Sequence, residues 1–589
     1  MRWLVGFTLL LAGCATTPPA DCPAHTPAPP SPQSRASTSD AAEQAAPRDA
    51  LERADLGIEV TPVFEPPGLR IRQHVSAKVN SKTWSIRHAG AADLVRLERI
   101  DGADRAKLRA TPAGGGLSVR LPAQESFDLE YEVRASDFSA DATDANAVNP
   151  NRLRAGAERL LLLPDEHPDA PLQVSIRIHS SDLGAPQGAA SSLGVGELRS
   201  LELSSRALRQ ISLIAGPLGS ARFAGPEGQD EIAWVGYTTF DPRLVSAQNA
   251  VFRSAVREYF GDLRSTPLTV LLLSDSRPLG NYEVTRRSWS ILVHVAAGQP
   301  WDGTLSLAVA QAIVREWLGG RLWLGAADDA TGQLWFNAGF ARYVAREVAF
   351  RMGQLEPEEY AAEVEGLTAI VKTSPDRELD NQTLARAAGR GEQGAIALLV
   401  ARGALWATDL DARLAEPSRG KRGAGPPRLS QILKETYRAA VGDDVTPGQP
   451  QSVDDLLRRL EAQLPDARGR FDNWIVKGKP GDLPATALGP CFRQRPRRFP
   501  LFALGFALDA SRHVSELDPL GPAARAGLKR GDAIQELHYA AGRADLPVRV
   551  RFVRGDGAAQ KLSYLPQQGS VSGRGWEALK NVPRERCQR

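Results

Sequence analysis

Eight histidines are spread along the 589 residues, at His25, His74, His88, His167, His179, His294, His513 and His538, and no two lie within helical reach of each other. A metal site built on a helix needs two imidazoles at i and i+4, so that both rings project from one face. No such pair exists here. His294 alone lies near the most helix-prone part of the chain, where it reads as one position of an alternating strand, "SWSILVHVA". Ser288 and Ser290 share that strand, with no His–Asp partner visible to activate them. The four cysteines, Cys14, Cys22, Cys491 and Cys587, have no zinc-ribbon spacing. The side chains that ordinarily do hydrolytic chemistry are therefore present but scattered.

Two segments nevertheless have the layout of a site. "AVAQAIVREWLGGRLWLG" spans 308–325 and "LWFNAGFARY" spans 334–343. Leu307, Val314, Trp317 and Leu318 fall at helical spacing across Thr304–Leu318, and the Gly pair at 319–320 stops that helix. Leu334–Met352 is a second helix-prone run. Together they resemble the core of the glycyl aminopeptidase family of gluzincins, relatives of thermolysin. In that family HExxH is followed closely by Trp, and a Glu ligand lies in W-F-x-E-G-F. With Trp317 setting the register, the resemblance puts the first His at Gln311, the catalytic Glu at Ala312, the second His at Arg315 and the third ligand at Ala338. All four chemical positions are changed. A guanidinium has no free lone pair for zinc, and without the metal a water keeps a pKa near 15.7 rather than about 7. No metal, no cofactor and no metal-dependent hydrolysis are expected.

The resemblance extends further. "PLGNYEVTRRSWSIL" at 278–292 is similar to the family's Gly-x-x-Glu cleft strand and keeps Glu283. "VARGALWATDLDARL" at 400–414 is similar to a Tyr-x-Lys-Gly-x-Leu…Leu-Asp helix, with Val400 in the Tyr position. "FDNWIVKGKPGDLP" at 471–484 resembles the segment that closes the domain. The vestigial cleft is therefore expected at Glu283, Arg315, Trp317 and Val400. Because an unpaired buried charge is costly, Arg315 is expected to fill the vacated pocket against Glu283; the alternative is a shifted helix with Arg315 in solvent. Core packing explains Trp317 and Phe340 equally well.

Around this core the chain divides into parts. Residues 1–13 join a positive start to an apolar stretch too short to span a bilayer. They end in "LAGC", which resembles a bacterial lipoprotein signal with Cys14 as the lipidated residue. Residues 14–53 are a Pro/Ala-rich tether able to reach roughly 100 Å. Ala15 after the Cys favours the outer membrane, facing the periplasm. Residues 54–222 alternate apolar and polar and predict an antiparallel β-sandwich; 228–487 predict the gluzincin-like, mainly helical domain.

Residues 491–570 predict a PDZ-like β domain, followed by a tail at 571–589. "GPAARAGLKRGDAI" at 521–534 resembles the PDZ signature, and Leu504, Gly505 and Phe506 match its carboxylate-binding loop. Only "AAGRADLP" stands where the second PDZ helix belongs, too few residues for two or three turns, so the groove is expected to be shortened. Cys491 and Cys587 bracket this region and form either a disulfide or two separate thiols. The formal net charge of +3 and the lack of a basic stripe argue against nucleic acid. The fold class is thus multidomain α+β: β-sandwich, thermolysin-like domain, PDZ-like domain. The expected role is an envelope lipoprotein that binds or scaffolds a peptide or periplasmic protein without catalysis. The alternative is an aminopeptidase acting through an unrecognised site.

Overall fold

A computed structural model describes residues 47–589 apart from 88–92, 114, 137–145, 185–187, 226–227, 237, 263–265, 276, 278, 288, 326–330, 417–427, 443–449, 581, 584–586 and 588–589. Cys14, the tether, Cys22, His25, His88 and Ser288 lie outside the described residues. Among the described residues no helix is long and apolar enough to cross a membrane.

The alternating segments near the N-terminus do form sheets. A seven-stranded sheet runs edge to edge through Leu198–Ser204, Pro171–Ile178, Leu56–Phe64, Pro67–Val75, Phe127–Arg134, Leu94–Asp101 and Asp104–Lys107. Two smaller sheets complete the domain. In Phe127–Arg134 every second side chain is buried, as a strand with one face on a core requires. Trp84, Leu129 and Tyr131 anchor that core. The Tyr131 hydroxyl donates to Gln73 Oε1 at 2.5 Å and accepts from the Leu162 amide at 2.9 Å.

The second domain opens on a five-stranded sheet in the order Leu218–Gly225, Gly228–Val235, Thr269–Asp275, Ser290–Ala296 and Glu283–Arg286. Its first strand begins at Leu218, inside the range assigned to the sandwich. Alternation identifies a strand but not the sheet it joins. Helix α1 (Pro242–Phe260) crosses between two parallel strands, starting at the Asp241 cap and ending at Gly261, whose φ is +63°. Sequence reasoning missed this helix.

The longer helices that follow are α2 (Gly303–Val314), α3 (Ala341–Arg351), α4 (Pro357–Thr373), α5 (Asn381–Gly389), α6 (Gln393–Leu414), α7 (Leu429–Val441) and α8 (Val453–Glu461). Asp302 caps α2 by accepting from the Leu305 amide at 2.9 Å. Helices α5 and α6 are separated at Gly391, where φ is +84°. Trp335–Phe340 forms a π-helical turn leading into α3.

The C-terminal part departs from its expected outline. Phe492–Phe502 pairs with Gln567–Ala578 in a long antiparallel ribbon, so residues 571–578, expected in a tail, are strand. A disulfide joins Cys491 to Cys587. The residues resembling a PDZ signature surround a small core of Val514, Ala523, Leu528, Ile534, Val548, Val550 and Phe552. No helix forms at 540–547. That loop instead docks on α4: a Cβ on Gly542 would lie 3.1 Å from Ile370, and one on Gly366 would lie 2.9 Å from Arg543.

The placement of the presumed site rests on one close crossing. The carbonyl oxygen of Trp335 lies so near α6 that a Cβ on Gly403 would sit 1.7 Å from it, and one on Gly339 would meet the Val400 carbonyl at 2.7 Å. Gly403→Ala in a free helix would gain about 1 kcal/mol in propensity. Here both partners are backbone, and overpacking costs about 3 kcal/mol or more. Urea unfolding of G403A should therefore show a large loss of stability; an unchanged or raised midpoint would mean that the two elements do not cross this closely.

Candidate functional site

Gln311 and Arg315 are one helical turn apart, so α2 should present both to the same side. The edge strand Glu283–Arg286 packs on α2, and α3 crosses it. The two segments picked out by sequence therefore do face each other. Gln311 donates through Nε2 to the Ala338 carbonyl at 3.2 Å, which ties the two elements at the spot where the resemblance places two of the ligands.

The guanidinium that occupies this spot is not the expected one. Arg342, one turn beyond Ala338, donates to Gln311 Oε1 at 3.2 Å. It also holds Glu363 of α4 with both ends of its fork, Nε to Oε1 at 2.5 Å and Nη2 to Oε2 at 2.8 Å. Glu363 is 9% exposed. Burial alone would raise its carboxyl pKa, but the Arg342 charge and hydrogen bonds outweigh that and hold it below the usual range. Arg342 is raised in turn, the Glu363 charge overcoming its own desolvation. Tyr282, half-buried beside them, has its phenol pushed up to about 12 by burial.

Arg315 behaves differently. It caps the C-terminal end of α2, its amide donating to the Gln311 carbonyl at 3.0 Å; its side chain is solvent-accessible and makes no hydrogen bond or ion pair with another described residue. Desolvation by the surrounding protein still lowers its pKa. The expected pairing with Glu283 does not form. Glu283 is half-buried and accepts from the Thr285 hydroxyl at 3.2 Å. The acid next to Arg315, Glu316, is already engaged by Arg253 at 3.1 Å and Arg321 at 3.0 Å. Arg286, 3.9 Å from Glu316, is pushed down to about 10 by burial, with Arg253, Arg315 and Arg321 adding repulsion; it stays charged at neutral pH.

Other expected positions separate. Trp317 is fully buried, stacked on Phe260 and donating to Asp262 Oδ2 at 2.9 Å. It is a core residue, not a cleft wall, because its ring turns away from the face shared by Gln311 and Arg315. Phe340 is likewise core, packed on Trp335 and Trp406. Val400 is half-buried, and its backbone abuts Gly339. Ser290 is fully buried and donates to Ser192 Oγ at 2.7 Å, with no histidine or acid in that bond. His294 is buried opposite Glu283 in the strand register, and His74 pairs with Asp128 at 2.8 Å. In the PDZ-like loop, the Leu504 carbonyl accepts from the Tyr564 hydroxyl at 2.6 Å and the Gly505 carbonyl from the Asp518 amide at 3.0 Å. Phe506 pairs with Leu517. Two polar contacts fasten this unit to the cleft rim: His538 Nδ1 with Asn281 Nδ2 at 2.5 Å, and Arg549 with the Leu279 carbonyl.

A zinc ion of the kind the sequence resemblance implies does not fit these residues. The Gln311 amide is engaged at both ends, Ala312 and Ala338 carry no donor, and Arg315 carries no lone pair. Among the described residues no group of three or more His, Cys, Asp or Glu could hold a metal ion. Sequence reasoning missed Arg342 and Glu363. Arg342 was findable, at i+4 from Ala338 on the same face; Glu363 lies on the next helix with no local signal.

The sequence matches no family model and no curated protein. The fold does match solved structures. An aminopeptidase N family protein from Idiomarina loihiensis superposes with a TM-score of 0.62 at 13% identity, covering 88% of this chain and 98% of that one. An M1 zinc metallopeptidase from Deinococcus radiodurans gives 0.46 at 18% identity, covering 73% and 95%. Legionella pneumophila aminopeptidase A, in complex with aspartic acid, gives 0.43 at 11% identity, covering 90% and 57%. The first of these establishes the architecture: an N-terminal β domain followed by an aminopeptidase-like helical domain.

The Arg342–Glu363 pair should be costly to break from either side. Arg342→Ala leaves a buried carboxylate without its cation, a loss of about 3–5 kcal/mol, whereas the double change Arg342→Met with Glu363→Met should recover most of it. A carboxyl depressed on folding stabilises above its unfolded pKa, and that contribution fades as pH falls through the native value. The difference between wild type and R342A in urea unfolding should therefore shrink toward low pH. A pH-independent gap would count against the pairing.

Proposed function

We propose that this chain is a lipid-anchored envelope protein whose aminopeptidase-like domain binds rather than cleaves. In this reading it is a degenerate relative of the glycyl aminopeptidase family with a shortened PDZ-like domain. Cys14 carries the lipid anchor, and the body faces the periplasm, where it is placed to hold a peptide or a partner protein.

 The observation that carries the reading is Arg342, spanning Gln311 and Glu363 at 2.5–3.2 Å across the place a catalytic ion would need. A guanidinium there donates hydrogen bonds but activates no water.

What favours binding is the sheet beside it. Glu283–Arg286 is the terminal strand of its sheet, bonded to Ser290–Ala296 on one side only. Its outer edge offers backbone groups to an extended peptide, which adds as a further strand. Tyr282, Glu283 and Arg315 stand nearby as polar contacts for the peptide's side chains and ends.

The test is reconstruction of the site. Wild-type protein should hold no stoichiometric zinc and should hydrolyse aminoacyl-nitroanilides no faster than buffer. Installing Gln311→His, Ala312→Glu, Arg315→His and Ala338→Glu together should leave zinc affinity poor until Arg342 is also replaced by Ser. Clearing that cation should then raise zinc affinity by about tenfold or more, the range seen when groups around metal ligands are altered. One equivalent of zinc in wild-type protein, with turnover abolished by chelation, would remove the reading.

A further inference from the structure

A second concavity lies on the far side of α4. Its walls come from the end of α4, residues 377–378, Leu405 of α6, residues 474–483 and both strands of the ribbon. Its volume is about 310 Å³, at the lower end of the range for small-ligand sites, which favour such junctions between structural units. Val371 of α4 lies two turns beyond Glu363, about 12 Å along the axis, so this pocket is separate from the cleft.

Its chemistry is one-sided. Trp474 and Trp576, each 3% exposed, line it together with Val371 and Leu405. Neither indole N–H donates to another described residue, although a buried Trp N–H ordinarily finds a partner. Trp474 Nε1 lies 3.9 Å from where a Cβ on Gly481 would stand, so it is directed at the loop that forms the pocket wall. Four cations line the same space: Lys372, Arg377, Lys479 and Arg574. The two lining acids are already engaged, Asp482 by Lys372 at 2.9 Å and Glu378 by Arg377 at 3.5 Å. Lys479 and Arg574 make no ion pair with a described acid. The pocket thus combines an apolar floor, two unused neutral donors and two uncommitted positive charges.

We infer that this pocket binds a small organic carboxylate with an apolar body, of about the size of a dipeptide with a free C-terminus. The carboxylate supplies the acceptors that the indole N–H groups, Lys479 and Arg574 lack. The apolar side chain lies against the Trp rings and Leu405. An inorganic anion would answer the charges but leave the apolar floor uncovered.

Calorimetric titration of the full chain with N-acetyl-alanyl-phenylalanine, its C-terminal amide and inorganic phosphate tests this. The free acid should bind saturably, and the amide should bind at least about tenfold more weakly, the scale of a lost charge-assisted hydrogen bond. Lys479→Ala with Arg574→Ala should cost the acid a similar factor while leaving the melting temperature unchanged, since both side chains are exposed. Arg342→Met with Glu363→Met, at the cleft, should leave this binding unaltered. Equal binding of acid and amide, phosphate binding as tightly as the acid, no saturable binding, or an unaltered affinity in the Lys479 and Arg574 variant would each overturn the assignment.

Discussion

A buried guanidinium must find an acid, and that constraint organises the centre of this protein. Arg342 projects from α3 into the junction of α2, α3 and α4, where burial opposes its charge. Glu363 satisfies it through both oxygens, and Gln311 takes a further donor. Three helices are thereby tied through one side chain. In a metallopeptidase a cation does comparable tying, but as a Lewis acid with an open coordination position. Here all the attraction is spent on holding the fold together. The site keeps a positive charge and a shape without keeping the property that makes metal-bound water reactive.

Helix α4 carries this constraint outward. Glu363 faces the old cleft, while Glu365 accepts from the Trp576 amide at 2.7 Å and pairs with Arg497 of the ribbon. Lys372, near its C-terminal end, reaches Asp482. Gly366 and Ile370 receive the 540–547 loop. The loop 540–547, which forms no helix, is what sets the small C-terminal unit against α4. The cleft, the ribbon and the C-terminal unit all meet on one helix whose two buried acids, Glu363 and Glu365, are matched by arginines.

The legible parts of the sequence were those with strong local periodicity or a local motif. Alternation in "FDLEYEVRAS" marked a strand that does bury every second residue. Helix α2 and the segment around Trp335–Phe340 could be placed because Trp317 set a register and "LWFNAGFARY" resembles the family's second motif. Helix α1 was missed because its apolar face is sparse, while its caps, Asp241 and Gly261, are common in loops. Sheet membership at Leu218–Gly225 and the long ribbon were not legible, because pairing depends on contacts far apart in the chain. For the site, the absence of ligand-type side chains at the positions the resemblance marks is readable residue by residue. The choice of partner was not: Arg315 and Arg342 are both arginines near the same spot, and only the fold decides that Arg342 meets an acid.

That choice has a consequence for what the cleft can hold. Arg315 remains accessible without a carboxylate of its own, and the nearby acids are already engaged by Arg253 and Arg321. A ligand entering along the edge strand Glu283–Arg286 therefore meets a surplus positive charge where a zinc peptidase would present a metal. Because the surrounding protein desolvates Arg315 in part, its charge attracts an acidic group more strongly than a fully hydrated one would. It also repels a free amino terminus, the group an aminopeptidase must accept. In the proposed binding role, Arg315 would thus favour a peptide's acidic side chains or its carboxyl end over its amino end.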